Sequence, residues 1–311
     1  MNNRKLLYVL LALGGLFLLS QLFNRKKERS FKSELVSLDT ATVSRIVLHP
    51  QADGHHEIQL EKAGGRWFAQ QGSLKVPVAP GALNGILNEL VSIKVKSIAT
   101  RSKDRWAEYE IGDSTGSRVE VFSGNKKLAD FYSGKFGFNP QGNSMISYIR
   151  SAGEDEVYAT DGFQSMTFNA TFSSFRDKTL LEIEPEQVTG IRSDFQGLFH
   201  SLIKDSTKWT LDDRPGPDSA SVANYLQNIQ RLNGTAFLDS FSPSGAPSYG
   251  FEINTGGSSV NLKVYASPDS LKPFIIHSSA NPDAFFHEDS TGAFNSLIGG
   301  WNDLLKKSIG K

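Results

Sequence analysis

The chain has 311 residues, 39% of them hydrophobic and 21% charged, with 33 basic and 33 acidic side chains and no cysteine. Balanced charge offers no field for a polyanion, which argues against nucleic acid as a partner. A chain without thiols has no disulfide, no thiolate metal site, no cysteine nucleophile and no lipidated amino-terminal cysteine.

Residues 6–23 are almost wholly apolar, with Leu6, Tyr8, Leu13, Phe17 and Phe23 along the run. At about 1.5 Å per residue a helix of this length spans roughly 27 Å, close to the ~30 Å hydrocarbon core of a bilayer. The residues after it, Ser20 to Asn24, are too bulky for a signal-peptidase site, so the run reads as an uncleaved signal anchor rather than a cleaved leader. Arg4 and Lys5 precede it; Arg25, Lys26, Lys27 and Arg29 follow. Counted literally, the charges favour a cytoplasmic body. A short basic tail ahead of a first apolar segment favours the reverse, with the second cluster as a collar against lipid phosphates. The expectation is a single-pass protein of the bacterial inner membrane, its body periplasmic. The predicted organisation is an anchor at 1–24, a basic linker at 25–36, and α+β repeats at 37–178 and 179–311.

In chain order, residues 42–48 alternate and are β-branched, which predicts a strand. A hairpin follows at 57–61 and 66–70, turned by Gly64 and Gly65, with Trp67 on its covered face. Prolines 77 and 80 lead into a helix at 81–91, where Leu83, Ile86, Leu87 and Leu90 share one face. Strands are predicted at 118–122, 127–132, 144–150 and 156–159, then a helical run from Phe163 to Phe175. Beyond 180 the pattern recurs: strands at 188–193, 198–203 and 209–211, a helix at 219–232 and later strands, then a closing helix at 294–305.

The recurrence is regular. Val43 and Ile46 are matched 145 residues later by Val188 and Ile191, Trp67 by Trp209 after 142, Tyr109 by Tyr249 after 140, and Val119 by Val260 after 141. One spacing repeated at several landmarks is the mark of a duplicated unit. The fold class predicted is therefore α+β: an N-terminal transmembrane helix followed by two tandem homologous repeats. Each repeat is read as a mainly antiparallel sheet with one long crossing helix and a closing helix. By this alignment the second copy lacks a strand equivalent to 127–132. The matched side chains Trp67, Trp209, Tyr109 and Tyr249 are predicted to pack in the repeat cores.

These landmarks carry a resemblance. An amino-terminal span is followed by Leu35, Asp39, Val43 and Ile46 in a Leu-x3-Asp-x3-Val-x2-Ile spacing. Then come Gly65-x-Trp67, Tyr109-x-Ile-Gly-Asp113, and Phe175-Arg-Asp-Lys178 before the second Val-x-x-Ile. The pattern resembles an uncharacterised bacterial family of membrane-anchored, two-repeat proteins, a domain of unknown function whose genes often neighbour gliding-motility-type ABC transporters. The resemblance implies a partner among integral membrane complexes of that class. It implies no catalytic residues. The chain departs from the family where a Gly-Leu-Asp-x-Pro-like stretch is replaced by Tyr109-Glu-Ile-Gly-Asp-Ser114.

No motif supplies chemistry. His55 and His56 are neighbours and point to opposite sides of a strand, and the other histidines lack ligand spacing. Gly142-Asn-Ser144 lacks the second glycine of a nucleophile elbow, and no phosphate-binding glycine loop is present. The acidic runs 154–156 and 212–213 lack the alternating ligands of a calcium loop. No catalytic, cofactor or metal residue is assigned and no cofactor is expected. Arg176, Asp177 and Lys178 mark the joint between repeats, as a latch or as the basic end of a helix. The function expected is a non-enzymatic, membrane-anchored scaffold or accessory protein of an envelope complex, auxiliary to an ABC transporter, with membrane lipid as its other partner. The alternatives are an envelope glycan- or peptide-binding module or hydrolase with a cleft between the repeats, and a structural subunit of a larger membrane assembly.

Overall fold

The computed structural model describes residues 34–309 apart from Gln141 and Thr207. The predicted anchor and its collar (Leu6, Tyr8, Leu13, Phe17, Phe23, Arg25, Lys26, Lys27) lie outside the described residues. No helix among the described residues is long and apolar enough to cross a membrane. The chain divides into two compact units, one ending at Arg176 and one starting at Asp177.

The first unit contains β1 (Glu34–Ser37), β2 (Arg45–His49), β3 (Ile58–Ala63), β4 (Arg66–Gln71), β5 (Leu74–Pro77), α1 (Asn84–Val91), β6 (Ser92–Thr100), β7 (Ser117–Ser123), β8 (Lys126–Asn139), β9 (Ser144–Ser151) and β10 (Val157–Asp161). Its sheet runs β1-β6-β10-β9-β8-β7-β2-β3-β4-β5. Period-two alternation puts Ile46, Leu48, Leu60, Val121, Phe131 and Ile149 on one face, fully buried. Ile86 and Leu90 of α1 and the rings of Phe168, Phe172 and Phe175 cover that face. Each such side chain contributes roughly 1.5–3 kcal/mol by leaving water.

The second unit contains β11 (Thr179–Glu182), β12 (Val188–Phe195), β13 (Leu198–Asp205), β14 (Lys208–Leu211), β15 (Arg214–Pro215), α2 (Ser219–Ile229), β16 (Arg231–Asn233), β17 (Ala236–Phe237), β18 (Tyr249–Thr255), β19 (Ser259–Ala266), β20 (Phe274–Ser278), β21 (Asn281–Glu288) and α3 (Gly300–Ile309). Its sheet runs β15-β14-β13-β12-β18-β19-β20-β21-β17, with β11 and β16 paired apart. Asp218 caps α2 by accepting the Ser221 N–H at 2.8 Å. Val222, Tyr225, Leu226 and Ile229 of α2 pack on the sheet with Leu297, Trp301 and Leu304. The Tyr225 hydroxyl donates to the Leu297 carbonyl at 3.0 Å, and burial raises its pKa above the usual phenol range.

The predicted balance of elements is corrected. Among the described residues 46% are strand and 22% helix, and the sheets are mostly antiparallel. Among the described residues there is no long crossing helix: α1 has eight residues and α2 eleven. Gly81, Gly85 and two asparagines leave α1 only two turns. Nor does a closing helix span residues 163–175. That run is a turn at Gln164–Thr167 and a 3-10 turn at Phe172–Phe175. Asn169 breaks it, because its side-chain oxygen accepts from Ala52 N–H at 2.8 Å and Ser117 Oγ at 3.0 Å. In the second unit Gly292–Phe294, a π turn at Asn295–Gly299 and α3 follow one another.

The alignment of landmarks is corrected too. Ile46 pairs with Val121 and Ile191 with Ile253, so β18 follows β7 by 132 residues. Val260 lies on β19, the strand after β18, as β8 is the strand after β7. The second unit therefore has the strand it was expected to lack. The outermost strands on matching edges, β5 and β15, both finish on a proline, Pro77 opposite Phe68 and Pro215 opposite Thr210.

Candidate functional site

Two surfaces depart from the ordinary pattern of polar outside and apolar inside. The first is at one end of the first unit. β10 finishes at Asp161, and Gly162, with φ of 128°, turns the chain into Phe163 and the single turn Gln164–Thr167. Here polarity is inverted: Gln164 and Ser165 are 3% and 6% exposed, while Phe163 and Met166 are 52% and 59% exposed. Hydrogen bonds from distant strands explain it. Ser147 Oγ accepts the Ser165 N–H at 3.1 Å and donates to the Gly162 carbonyl at 3.1 Å. Ser165 Oγ donates to the Lys135 carbonyl at 3.1 Å. Gln164 donates to the Asp161 carbonyl at 3.0 Å. From α1, Glu89 accepts from the Phe163 N–H and from Gln164; burial raises its pKa against those bonds. Such a satisfied network fixes the turn, and Phe163 and Met166 are left facing outward. Phe136 lies 5.9 Å from the Phe163 ring, and Phe138, two residues along β8, is exposed, as is Val91 at the end of α1.

The second surface is the face of the second sheet opposite its helices. Phe199 on β13 is 69% exposed and Ile203 is exposed on the same side of the strand. Phe199 borders a hollow of about 350 Å³ whose walls include Arg192, Asp194, Glu252, Asn261 and Lys263. Arg192 and Glu252 approach to 3.5 Å across β12 and β18.

Two pairs of the kind that catalytic sites use make local hydrogen bonds here. His200 Nδ1 is 2.7 Å from Asp212 Oδ2, and Asp212 also accepts the Ser201 N–H at 2.8 Å from a turn in which Asp212 and Asp213 have positive φ. Burial raises the Asp212 pKa, but these hydrogen bonds outweigh it and hold the group below the usual range. Ser267 Oγ and His287 Nε2 are 2.7 Å apart, and Ser267 Oγ also accepts the Asp269 N–H. No group of three metal-ligating side chains is found among the described residues.

A different device holds the Tyr109–Asp113 motif. Arg150 on β9 stacks between Trp106 and Tyr132, with its guanidinium carbon 3.8 and 4.3 Å from the ring centres. It donates to the carbonyls of Ile111 and Glu154 and to Asp113. Gly134 lets the motif approach: a Cβ there would sit 2.3 Å from the Tyr109 carbonyl oxygen.

The model of one protein family, described as a domain of unknown function (DUF4340), matches residues 67–252, more than half of the chain. The chain belongs to this family. No match is found among curated proteins or among solved structures. The DUF4340 match runs from Trp67 on β4 to Glu252 on β18, so both surfaces have residues inside it: Phe138, Phe163 and Met166 on the first, Phe199 and Ile203 on the second.

The residues singled out in the sequence fall elsewhere. Trp67 is half-buried against the first core and Trp209 is buried in the second, each opposite a lysine of the preceding strand, Lys62 and Lys204. Tyr109 is not the counterpart of Tyr249. It sits in a 3-10 helix, Lys103–Tyr109, within a satellite cluster, its ring 4.7 Å from Tyr148. Tyr249 opens β18 and meets the Phe195 ring edge-on at 5.0 Å. Arg176 is buried, its guanidinium over Phe172. Asp177 accepts from the Thr179 N–H at 2.8 Å, and the Lys178 carbonyl accepts from Gly234. The apolar surfaces were missed. The sequence signal for the first is that Phe163 falls off the helical face that Phe168, Phe172 and Phe175 would share.

Proposed function

We propose that this chain is a non-enzymatic accessory protein of a bacterial envelope complex. The apolar run 6–23 tethers it to the inner membrane, the body lies on the periplasmic side, and the partner is an integral membrane complex of the ABC-transporter class. The observation that carries the reading is the uncovered face of the second sheet, where Phe199 and Ile203 stand exposed beside a hollow walled by Arg192, Asp194, Glu252 and Lys263. An exposed phenylalanine and isoleucine rimmed by charges of both signs suit association with another protein. The tether is supported by the length of the apolar run, and the partner class by the family resemblance. The test is purification of the full chain from its native membranes in mild detergent. The expected result is recovery with the membrane-spanning subunits of a transporter, lost on Phe199→Asp with an unchanged melting temperature. Recovery of the unsubstituted chain as a lone monomer overturns the reading.

A further inference from the structure

We infer that the Phe163–Met166 end of the first unit rests on the lipid surface and sets the orientation of that unit against the bilayer. This rests on the tether of the proposed function. The turn is built to hold apolar side chains outward, because its polar residues occupy the interior and are bonded to Ser147, Lys135 and Asp161. Phe138 extends the same surface from β8, two residues beyond Phe136, whose ring centre lies 5.9 Å from that of Phe163. Two phenylalanines and a methionine on a rigid base suit shallow insertion among acyl chains, where a soluble surface would carry charge.

Chain length makes the bilayer the occupant within reach. β1 begins at Glu34, which pairs with Lys94 of β6. Thr160 of β10 pairs with Val95 of β6, the next residue Asp161 pairs with Ile146 of β9, and Ile146 pairs with Gly137 of β8. Glu34 and Phe138 are thus near one row across the sheet, four strand spacings or about 19 Å apart. The ten residues 24–33 between the apolar run and Glu34 span at most about 35 Å. The surface therefore reaches the headgroups without strain on the linker. A tethered body also meets the membrane at high effective concentration, so a weakly inserting surface is enough to fix its orientation.

The chain has no cysteine, so a single introduced thiol carries a label at one position. The full chain is reconstituted into phosphatidylcholine and phosphatidylglycerol vesicles with a fluorophore on Met166→Cys. The control is Asn125→Cys, exposed in the β7–β8 turn at the other end of the strand, roughly 40 Å from Phe138. Flotation reports the tether, and quenching by nitroxide lipids reports the contact. The expected result is flotation of both proteins, several-fold stronger lipid quenching at 166 than at 125, and loss of that difference on Phe138→Ser with Phe163→Ser at an unchanged melting temperature. Flotation with the 166 label as open to aqueous iodide as the 125 label overturns the contact and leaves the tether standing. Protection at 166 that grows with protein-to-lipid ratio assigns the surface to a second copy and also overturns it. Failure to float overturns the tether, and the contact with it.

Discussion

Arg150 Nη2 lies 2.6 Å from Asp113 Oδ1, but the arginine side chain is 3% exposed and the aspartate 69%. The two ends of this ion pair are in different solvents, so they do not contribute equally. Asp113 is hydrated with or without its partner. Arg150 also satisfies two carbonyls and fills the space between two rings.

Asp113→Asn is therefore expected to change stability by less than about 1 kcal/mol, as exposed pairs do. Arg150→Met is expected to cost about 3 kcal/mol, through orphaned carbonyls and lost stacking. Urea unfolding of the two variants measures the asymmetry; equal losses would show that the ion pair itself dominates.

Gly134→Ala places a Cβ 2.3 Å from the Tyr109 carbonyl and 2.7 Å from Ile111 Cδ1. Backbone cannot yield as a side chain does, so a loss of about 3 kcal/mol or more is expected. Gly137→Ala, three residues along β8, meets nothing within 4 Å and serves as the control. Thermal melts of both decide whether the close approach is needed.

Ser147→Ala removes the acceptor of the Ser165 N–H and the donor to the Gly162 carbonyl. A destabilisation of about 1–3 kcal/mol is expected for such buried groups left unpaired. Met166→Ser is expected to stay within about 0.5 kcal/mol, as exposed positions do. Chemical denaturation that found Met166 the costlier of the two would remove the case for an inverted turn.

Glu288 is buried, and its Oε1 accepts from the Thr235 N–H and hydroxyl. Burial raises its pKa; those hydrogen bonds and Lys272 oppose the shift, and the Asp289 charge adds to it. The folded state thus holds the proton to a higher pH than the unfolded state. This contribution to stability is favourable at acid pH and is lost as pH rises from the ordinary glutamate value through the raised one. Glu288→Gln is expected to flatten that part of the stability curve and to gain stability at neutral pH. Melting temperatures from about pH 4 to pH 8 check the sign.

The strands were legible because alternation is local: Ile46, Leu48, Leu60 and Val121 declare a buried face without reference to the rest of the chain. The apolar stripe that runs from Leu83 into α1 also recurs in α2 at one offset, Leu83, Ile86, Leu87 and Leu90 each 139 residues before Val222, Tyr225, Leu226 and Ile229. Register failed after the helices. There the first unit has the nine-residue β6 and a 3-10 helix, and the second has the short β16 and β17. The match of Tyr109 to Tyr249 was a coincidence of spacing. The apolar turn was hidden for another reason. Phe168, Phe172 and Phe175 imitate one helical face, and the hydroxyls and carbonyls that hold the turn come from positions up to thirty residues away. Arg150 was equally opaque, since its partners are brought together only by the sheet.

The prolines at the ends of β5 and β15 bear on crowding. A strand whose last residue has no amide hydrogen cannot template a neighbour over its full length, and these are matching outer margins of the two sheets. With those margins blunted, collisions between copies are less able to grow into fibres.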